Sequence, residues 1–271
     1  MVKKLIRHEF IYYVRTFSIF LPIVLAIGIM TRVFFLFDAA NNFVAEIAQL
    51  SSSAMLFVAS CALLVMSSII SITRFYKNMY SAEGYLTFTL PVTNSQHVLV
   101  KLLAAVSCQG VSVLTIAASV AIALSGERLK TLLQSISIII DPLASGLGAV
   151  NVVFLAIEAI VMLIVSSAST LLLFYACITI GQTAKKNRVL MAVITYFIYY
   201  MASQALGTVV VMIIVALGSS GVLDNIMIWT DYHYVATRHI YFCTSILVSA
   251  ALSAAFYFVT LRVMNKKLNL E

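Results

Sequence analysis

The densest group of residue types that could do chemistry lies between Lys77 and Lys101. It contains the run Glu83-Gly84-Tyr85-Leu86-Thr87-Phe88-Thr89-Leu90-Pro91-Val92-Thr93, followed by His97. Long apolar runs flank this segment on both sides. It is too polar to cross a bilayer and too apolar for a plain linker, so we expect it to lie at the membrane surface and to present side chains to a partner in the water.

The spacing within this segment predicts a short amphipathic helix from about Tyr80 to Leu90. Pro91 lacks a backbone N–H and disfavours helical geometry at the preceding residue, so it should end that helix. A second helix should begin near Thr93 or Asn94, because either side chain can accept hydrogen bonds from the free N–H groups of a first helical turn.

Catalytic motifs are missing from the chain. It contains neither a G-x-x-x-x-G-K-[ST] phosphate-binding loop nor a G-x-S-x-G nucleophile turn. His8-Glu9 begins an H-E-x-x-H pattern, but Tyr12 stands where the second histidine would be. We therefore expect the chain not to be an enzyme.

A metal site could be built from Asp231, His233 and His239 near the end of the chain. Clusters of this kind beside tyrosines are more typical of a membrane interface than of a metal centre. We expect no metal and no cofactor on this chain.

Glu158 is the one acid well inside a long apolar run. An ionised carboxylate is costly in lipid, so it must face other helices or water, or take up a proton. It could form a structural hydrogen bond to a neighbouring helix, or it could serve in a transport pathway. The sequence leaves both interpretations open.

The composition indicates a membrane protein. The 271 residues are 62% hydrophobic and 10% charged, with a mean hydropathy of +1.06, whereas soluble domains are roughly half apolar and a quarter charged. The net charge of +7 fits the positive-inside bias of membrane proteins, and the placement of the charges argues against a nucleic-acid partner. The four cysteines lie within apolar runs and form no C-x-x-C pair.

These patterns predict an all-α membrane protein with a single transmembrane domain over 1–271. The expected segments are an interfacial amphipathic helix at 1–16, spans at 17–37, 51–73, 98–124, 151–180, 189–217 and 239–261, a cytoplasmic loop at 74–97, and an outer connection at 218–238 that could re-enter the membrane. The first segment could instead be a cytoplasmic extension of the first span.

Lys and Arg set the orientation, because they concentrate on the cytoplasmic side of membrane proteins. They cluster before the first span, around the 74–97 loop, in a short turn and after the last span; the members are Lys3, Lys4, Arg7, Arg15, Arg74, Lys77, Lys101, Lys185, Lys186, Arg188, Arg262, Lys266 and Lys267. Arg74 and Lys77 are expected to mark the water boundary. Both termini should therefore be cytoplasmic, and residue usage favours a bacterial plasma membrane.

Polar residues on two spans could border a transport pathway. Ser53, Ser60 and Ser67 fall close to one face of the second span, where small residues also permit tight helix packing. The fifth span carries Tyr196, Tyr200 and Gln204. We take these six residues and Glu158 as candidate lining of a translocation path, with helix packing as the simpler alternative for the serines.

One run of residues resembles the cytoplasmic loop of type-2 ABC exporter permeases. The likeness rests on Glu83-Gly84, on Leu90-Pro91-Val92-Thr93 and on Lys101-Leu102, together with the six-span layout. It covers about 20 residues in motif, and Tyr85 departs from the threonine that many relatives carry after the glycine.

The resemblance implies a permease that forms a dimer and binds separate ABC ATPase subunits, which hold the ATP and Mg²⁺. The short helix would be a coupling helix between the second and third spans. Its contacts with the ATPase would come from Glu83, Gly84, Tyr85, Leu86, Phe88 and Pro91, and from Lys185, Lys186 and Arg188 in the short turn. Pairing with a second copy or with a similar permease stays open.

The cargo is the least constrained part of this prediction. Relatives of this kind carry drugs, lipids, glycans and peptides, and the small polar second span and the tyrosines of the fifth favour an amphipathic or antimicrobial peptide. The alternative function is an ion-coupled secondary transporter or channel that uses Glu158.

Overall fold

The computed structural model describes residues 2–37, 43–89, 91–184, 186–219 and 233–266. Every described element of regular structure is an α-helix. In chain order the helices are α1 (Val2–Phe35), α2 (Phe43–Tyr80), α3 (Ala82–Phe88), α4 (Asn94–Ala123), α5 (Glu127–Leu147), α6 (Ala149–Gly181), α7 (Arg188–Ser219) and α8 (Tyr234–Lys266).

Six of these helices are long and apolar enough to cross a membrane: α1, α2, α4, α6, α7 and α8. At 1.5 Å per residue a hydrocarbon core of about 30 Å needs about 20 residues, and each of the six is longer than that. Their length and composition indicate a multi-pass membrane protein. The all-α class predicted from the sequence is confirmed, and the number of helices that could span a membrane agrees with the six predicted spans.

The N-terminal segment differs from the expected separate helix at 1–16. Residues Val2–Phe35 form one continuous helix with Pro22 inside it. The first segment is thus an extension of the first span, which was the alternative interpretation. No glycine or proline stands near residue 16 to end a helix, and Pro22 removes only one helical hydrogen bond.

The short helix is present as α3, and the start of α4 agrees with the predicted cap. Thr93 Oγ1 accepts from the Gln96 backbone N–H at 3.4 Å, and the Thr93 backbone N–H donates to Gln96 Oε1 at 3.2 Å. This reciprocal pair is a capping box, which satisfies two donors that the helix itself cannot. The cap fixes where α4 begins.

The chain divides into two compact units. One contains Met1–Met79 and Glu83–Pro142, and the other contains Tyr80–Ala82 and Leu143–Glu271. In the first unit α1 packs along α4, and in the second α6 packs against both α7 and α8. The outer connection expected at 218–238 falls largely on residues 220–232, which lie outside the described residues.

The crossing of α1 and α4 depends on a glycine. A Cβ added at Gly28 would lie 2.5 Å from Ser119 Oγ and 2.7 Å from the Ser119 carbonyl oxygen. Ser119 also donates from Oγ to the Val24 carbonyl at 3.0 Å. Small residues thus bring the two backbones into direct contact, as is typical of helix pairs in lipid.

We predict that Gly28→Ala lowers the thermal stability of the purified protein in detergent, with overpacking worth about 1–3 kcal/mol. Gly110→Ala on α4 is the matched control, because nothing lies within 4 Å of the added methyl group there. The control should keep or raise the melting temperature, since alanine favours helix over glycine. Equal melting temperatures for the two variants would contradict the close crossing.

Candidate functional site

A buried carboxylate, Glu9 of α1, joins three long helices of the first unit. Glu9 is 1% exposed. Its Oε1 accepts from Lys101 Nζ of α4 at 2.7 Å and from Asn78 Nδ2 of α2 at 3.0 Å. Its Oε2 accepts from Arg74 Nε of α2 at 3.2 Å. We call Glu9, Arg74, Asn78 and Lys101 the Glu9 cluster.

Helical spacing places each member of the Glu9 cluster on the packed face of its helix. Glu9 is one turn before Tyr13 and two turns before Phe17, and both aromatic side chains are buried. Arg74 and Asn78 continue the buried stripe that begins at Ser67 and Ser71 on α2. On α4, Lys101 lies between the buried residues His97, Val98, Ala104 and Ala105.

Each buried charge of the Glu9 cluster is stabilised by an opposite charge beside it. Lys101 is 3% exposed and Arg74 is 8% exposed, and a charged group away from water is costly unless it is paired and hydrogen-bonded. Removing one partner of a buried pair typically costs about 3–5 kcal/mol, because the other charge stays buried without compensation. The cluster therefore fixes the relative positions of α1, α2 and α4 at this end of the unit.

Arg74 also connects the cluster to the short helix α3. Its Nη1 lies 3.6 Å from Glu83 Oε2, and its guanidinium carbon lies 3.9 Å from the centre of the Tyr12 ring. The Glu83 side chain is 57% exposed, so this second ion pair is at the surface. One arginine thus contacts a buried acid and a surface acid, and α3 is electrostatically linked to the helix bundle.

A cavity of about 660 Å³ opens beside the cluster. It lies between the start of α1, the end of α2, α3 with the residues after it, and the start of α4. The lining residues are Lys4, Leu5, His8, Glu9, Arg74, Asn78, Glu83, Thr87, Pro91, Val92 and Lys101.

The structure places the predicted coupling residues on α3 and just after it. Tyr85 is exposed, Gly84 is buried, and Pro91 is exposed. The side chains of Leu86 and Phe88 lie outside what the structure describes. Tyr85 is thus an exposed aromatic side chain on α3, and a contact of these residues with an ATPase stays a prediction.

The second predicted contact region is the turn between α6 and α7. Lys186 is exposed and Arg188 is half-buried, while Lys185 lies outside the described residues. Asn187 takes φ 53°, and a Cβ at Gly181 would lie 2.7 Å from the Ala192 Cβ. The turn is therefore as short and tight as its sequence predicted, and a contact with an ATPase there stays a prediction.

The serines of α2 bond to their own helix. Ser53 donates to the Leu50 carbonyl at 2.8 Å, Ser60 to Leu56 at 2.7 Å and Ser67 to Leu64 at 2.8 Å. Ser67 is buried, and the other two are half-buried. Such back-bonding satisfies the hydroxyl groups without a ligand, which agrees with helix packing; lining of a pathway stays a prediction.

Glu158 pairs with His239 in the second unit. His239 Nδ1 of α8 lies 2.8 Å from Glu158 Oε1 and 3.0 Å from Oε2 of α6. The two side chains are 22% and 25% exposed. A hydrogen bond between neighbouring helices, one of the two interpretations left open, is thus present. Its partner residue was considered for a metal site in the sequence analysis, and a pathway role for Glu158 stays a prediction.

The polar residues of α7 have varied surroundings. The Tyr196 ring stacks on Phe174 of α6, with ring centres 5.3 Å apart. Tyr200 and Gln204 are exposed. Tyr196 therefore contributes to helix packing, and a pathway role for these three residues stays a prediction.

The Glu9 cluster adds a structural role for two residues that the sequence analysis used to set the orientation. Arg74 was expected at the water boundary and Lys101 among the cytoplasmic charges; the structure buries both against Glu9, and their side of the membrane stays a prediction. A count of basic residues treats every charge as solvent-exposed. Glu9 itself was considered only as part of a failed metal motif.

A signal for Glu9 exists in the sequence. It is an acid within a basic segment, in helical register with Tyr13 and Phe17 rather than with its charged neighbours. An acid in register with an apolar stripe indicates a buried ion pair.

Within the described ranges, no group of three or more His, Cys, Asp or Glu side chains is placed to hold a metal ion. Asp231, one of the three residues considered for such a site, lies outside those ranges.

We predict that Glu9→Gln destabilises the protein by about 3–5 kcal/mol, because Arg74 and Lys101 lose their buried counter-charge. Glu127→Gln is the control; it removes an equal charge from an exposed pair in which Lys130 Nζ lies 2.8 Å from Glu127 Oε1, and exposed pairs contribute roughly 0–1 kcal/mol. Thermal unfolding in detergent measures both.

The double variant Glu9→Gln with Lys101→Met should recover part of the lost stability. Equal loss of stability in Glu9→Gln and Glu127→Gln would refute the role of the cluster.

No protein-family model, no curated protein and no solved structure matches the chain. The function is therefore argued from the sequence and from the geometry described above.

Proposed function

We propose that the chain is the membrane-spanning permease subunit of an ATP-driven ABC exporter. In this proposal it resides in a bacterial plasma membrane with both termini in the cytoplasm, forms a dimer, and lines a translocation path. ATP is hydrolysed on a separate ATPase subunit, and the chain itself is not an enzyme.

The observation that carries the proposal is the link from α3 to the helix bundle. Tyr85 is 53% exposed on α3, and Glu83 of the same helix lies 3.6 Å from Arg74. Arg74 in turn donates to buried Glu9. A force applied to α3 by a bound partner would reach α1, α2 and α4 through these charges.

Aromatic side chains on a short, rigidly held helix suit recognition by a pocket on another protein. Large aromatic residues carry much of the binding energy at interfaces because they bury a large area at low entropic cost. Only five residues connect α3 to α4, and Pro91 among them has a restricted backbone, so the connection limits how far α3 can move independently. Rigid coupling of this kind suits rocking of a helix bundle between two states.

The proposed cargo is an amphipathic or antimicrobial peptide. The half-buried serines of α2 and the exposed Tyr200 and Gln204 of α7 offer mixed polar and apolar surface. A cargo with one apolar and one polar face would match such surfaces.

We predict that Glu83→Ala combined with Tyr85→Ala abolishes association with a P-loop ATPase without disturbing membrane insertion. Loss of one interface hot spot of about 2 kcal/mol weakens binding roughly 30-fold. The chain is purified from its native membranes, and the co-purifying P-loop ATPase is identified by mass spectrometry and by its ATP hydrolysis.

Leu103→Ala is the control for this experiment, since Leu103 is also an exposed large side chain, at 57%, but lies on α4. It should retain the ATPase. If the double variant co-purifies with as much ATPase as the wild-type protein does, α3 is not the coupling helix. In the reconstituted wild-type complex, amphipathic cationic peptides should raise ATP hydrolysis, and their failure to do so would remove the peptide cargo while leaving the permease assignment intact.

A second candidate function is an ion-coupled secondary transporter or channel, and the Glu158–His239 pair favours it. A carboxylate and an imidazole in contact within a bundle are typical of proton relays in transporters. Both side chains are about one-quarter exposed.

The second candidate predicts proton movement by the chain alone. In liposomes without an ATPase, a pH gradient should drive proton flux through the wild-type protein and through Glu46→Gln, whose exposed carboxylate on α2 serves as the control. Glu158→Gln should lose the flux with unchanged membrane yield. No flux through the wild-type protein would exclude this candidate, and a collapse in yield alone would mark Glu158 as structural.

A further inference from the structure

The cavity beside the Glu9 cluster contains buried polar groups with unused hydrogen-bonding capacity. An ammonium group has three N–H donors, and among the described residues Lys101 Nζ makes one hydrogen bond, to Glu9. Asn78 is 7% exposed, and its Oδ1 is a buried acceptor that finds no hydrogen-bond partner in the described part of the chain. Both residues line the cavity.

Positive charge predominates on the cavity wall. Lys4, Arg74 and Lys101 supply three cations, while Glu9 and Glu83 supply two carboxylates, which leaves one positive charge before any contribution from His8. Lys4 and His8 are exposed, one turn apart on α1. They form a basic rim above a buried basic floor.

Arg74 has a donor that an anion could take over. Its Nη1 lies 3.6 Å from Glu83 Oε2, which is longer than a good hydrogen bond of about 2.7–3.2 Å. An arginine has five N–H donors, so an anion can bond to Arg74 while its contact with Glu83 persists. An anion in the cavity could therefore bond to Arg74 without breaking the buried bond from Arg74 to Glu9.

The cavity lies at the depth of lipid head groups. Helix α1 has 34 residues, about 51 Å at 1.5 Å per residue, whereas a hydrocarbon core is about 30 Å thick. The uninterrupted apolar run begins near Phe17, and Glu9 precedes it by two helical turns. The apolar residues Leu5, Pro91 and Val92 also line the cavity, so one wall suits the glycerol and upper acyl carbons of a lipid.

We propose that this cavity binds a phosphate ester that carries a free hydroxyl group, as presented by the head group of an anionic glycerophospholipid. The phosphate oxygens accept hydrogen bonds from Lys101, Arg74 and Lys4. The hydroxyl group donates to Asn78 Oδ1, which satisfies the buried acceptor. The volume of about 660 Å³ lies within the range of roughly 300–1,000 Å³ usual for small-molecule sites.

The site shares Arg74 and Glu83 with the proposed link to α3, but its test needs no ATPase, so its failure is distinguishable from failure of the proposed exporter function. The full chain is purified in detergent, and phosphatidylglycerol, phosphatidylcholine, glycerol 3-phosphate or inorganic phosphate is added. Native mass spectrometry counts the bound molecules, and thermal unfolding measures the stabilisation. Phosphatidylglycerol should give one retained molecule and a raised melting temperature, and phosphatidylcholine, which lacks the net charge and the hydroxyl group, should give neither.

Two variants locate the site. Lys4→Gln should weaken phosphatidylglycerol binding about fivefold, the effect expected from one basic residue near an anionic lipid. Lys3→Gln removes the same charge from the adjacent exposed residue, which does not line this cavity, and it should bind as the wild-type protein does. Val92→Trp should obstruct the apolar wall of the cavity and weaken retention of the lipid, while the charged residues of the Glu9 cluster stay unchanged.

The soluble probes show whether the bound phosphate group belongs to a lipid or to a soluble ligand. Saturable binding of glycerol 3-phosphate that Lys4→Gln weakens, with no retained lipid, supports the phosphate-ester site and assigns it to a soluble ligand. If Lys3→Gln and Lys4→Gln weaken binding equally, the anions are attracted by the overall positive charge of the start of α1 and do not bind in the cavity. That result, or undiminished lipid retention by Val92→Trp, or no binding of any probe, would overturn the proposal and leave a water-filled cavity.

Discussion

The buried carboxylate of Glu9 is the constraint on which the first unit depends. Three donors from two other helices converge on it, and two of them carry full positive charges that are themselves buried. Apolar packing alone specifies helix positions weakly in lipid, because lipid tails are as apolar as leucine. Directional bonds to one carboxylate therefore fix α1, α2 and α4 more sharply than their apolar faces could.

This arrangement also explains why the short helix α3 can be both exposed and held in place. Its seven residues are too few for a stable isolated helix. The contact between Glu83 and Arg74, the buried Gly84 and the capping box of α4 hold it from the side and from the C-terminal end. A surface helix restrained in this way can transmit a displacement, whereas a mobile loop would absorb it.

The sequence predicted those parts of the fold that depend on one-dimensional signals. The six spans follow from runs of apolar residues, and the end of the short helix and the start of α4 follow from Pro91 and Thr93 with its partner Gln96. The expected break at residue 16 was wrong, because amphipathicity alone does not end a helix when no breaker is present.

The features that sequence reasoning missed depend on which residues meet in space. Arg74 and Lys101 are separated from Glu9 by 65 and 92 positions, so no local pattern pairs them. Glu158 was recognised as costly in lipid, but its partner His239, 81 positions away, was assigned to a different kind of site. A charge in an apolar stripe indicates that a partner exists without identifying that partner.

The two units each contain an acid that bonds to basic groups, and the chemistry of the partners separates the two cases. Glu9 bonds to a lysine and an arginine, and arginine keeps its charge at every physiological pH. Glu158 bonds to a histidine, and a carboxylate beside an imidazole is an arrangement that proton relays of transporters use. A pairing of one carboxylate with two basic side chains suits a mechanical link between helices. A carboxylate–imidazole pairing can hold or pass a proton, so it suits an ion-coupled step. A permease driven through α3 requires the first kind of pairing, whereas an ion-coupled transporter requires the second, and this difference in partners is the physical basis on which the two candidate functions can be told apart.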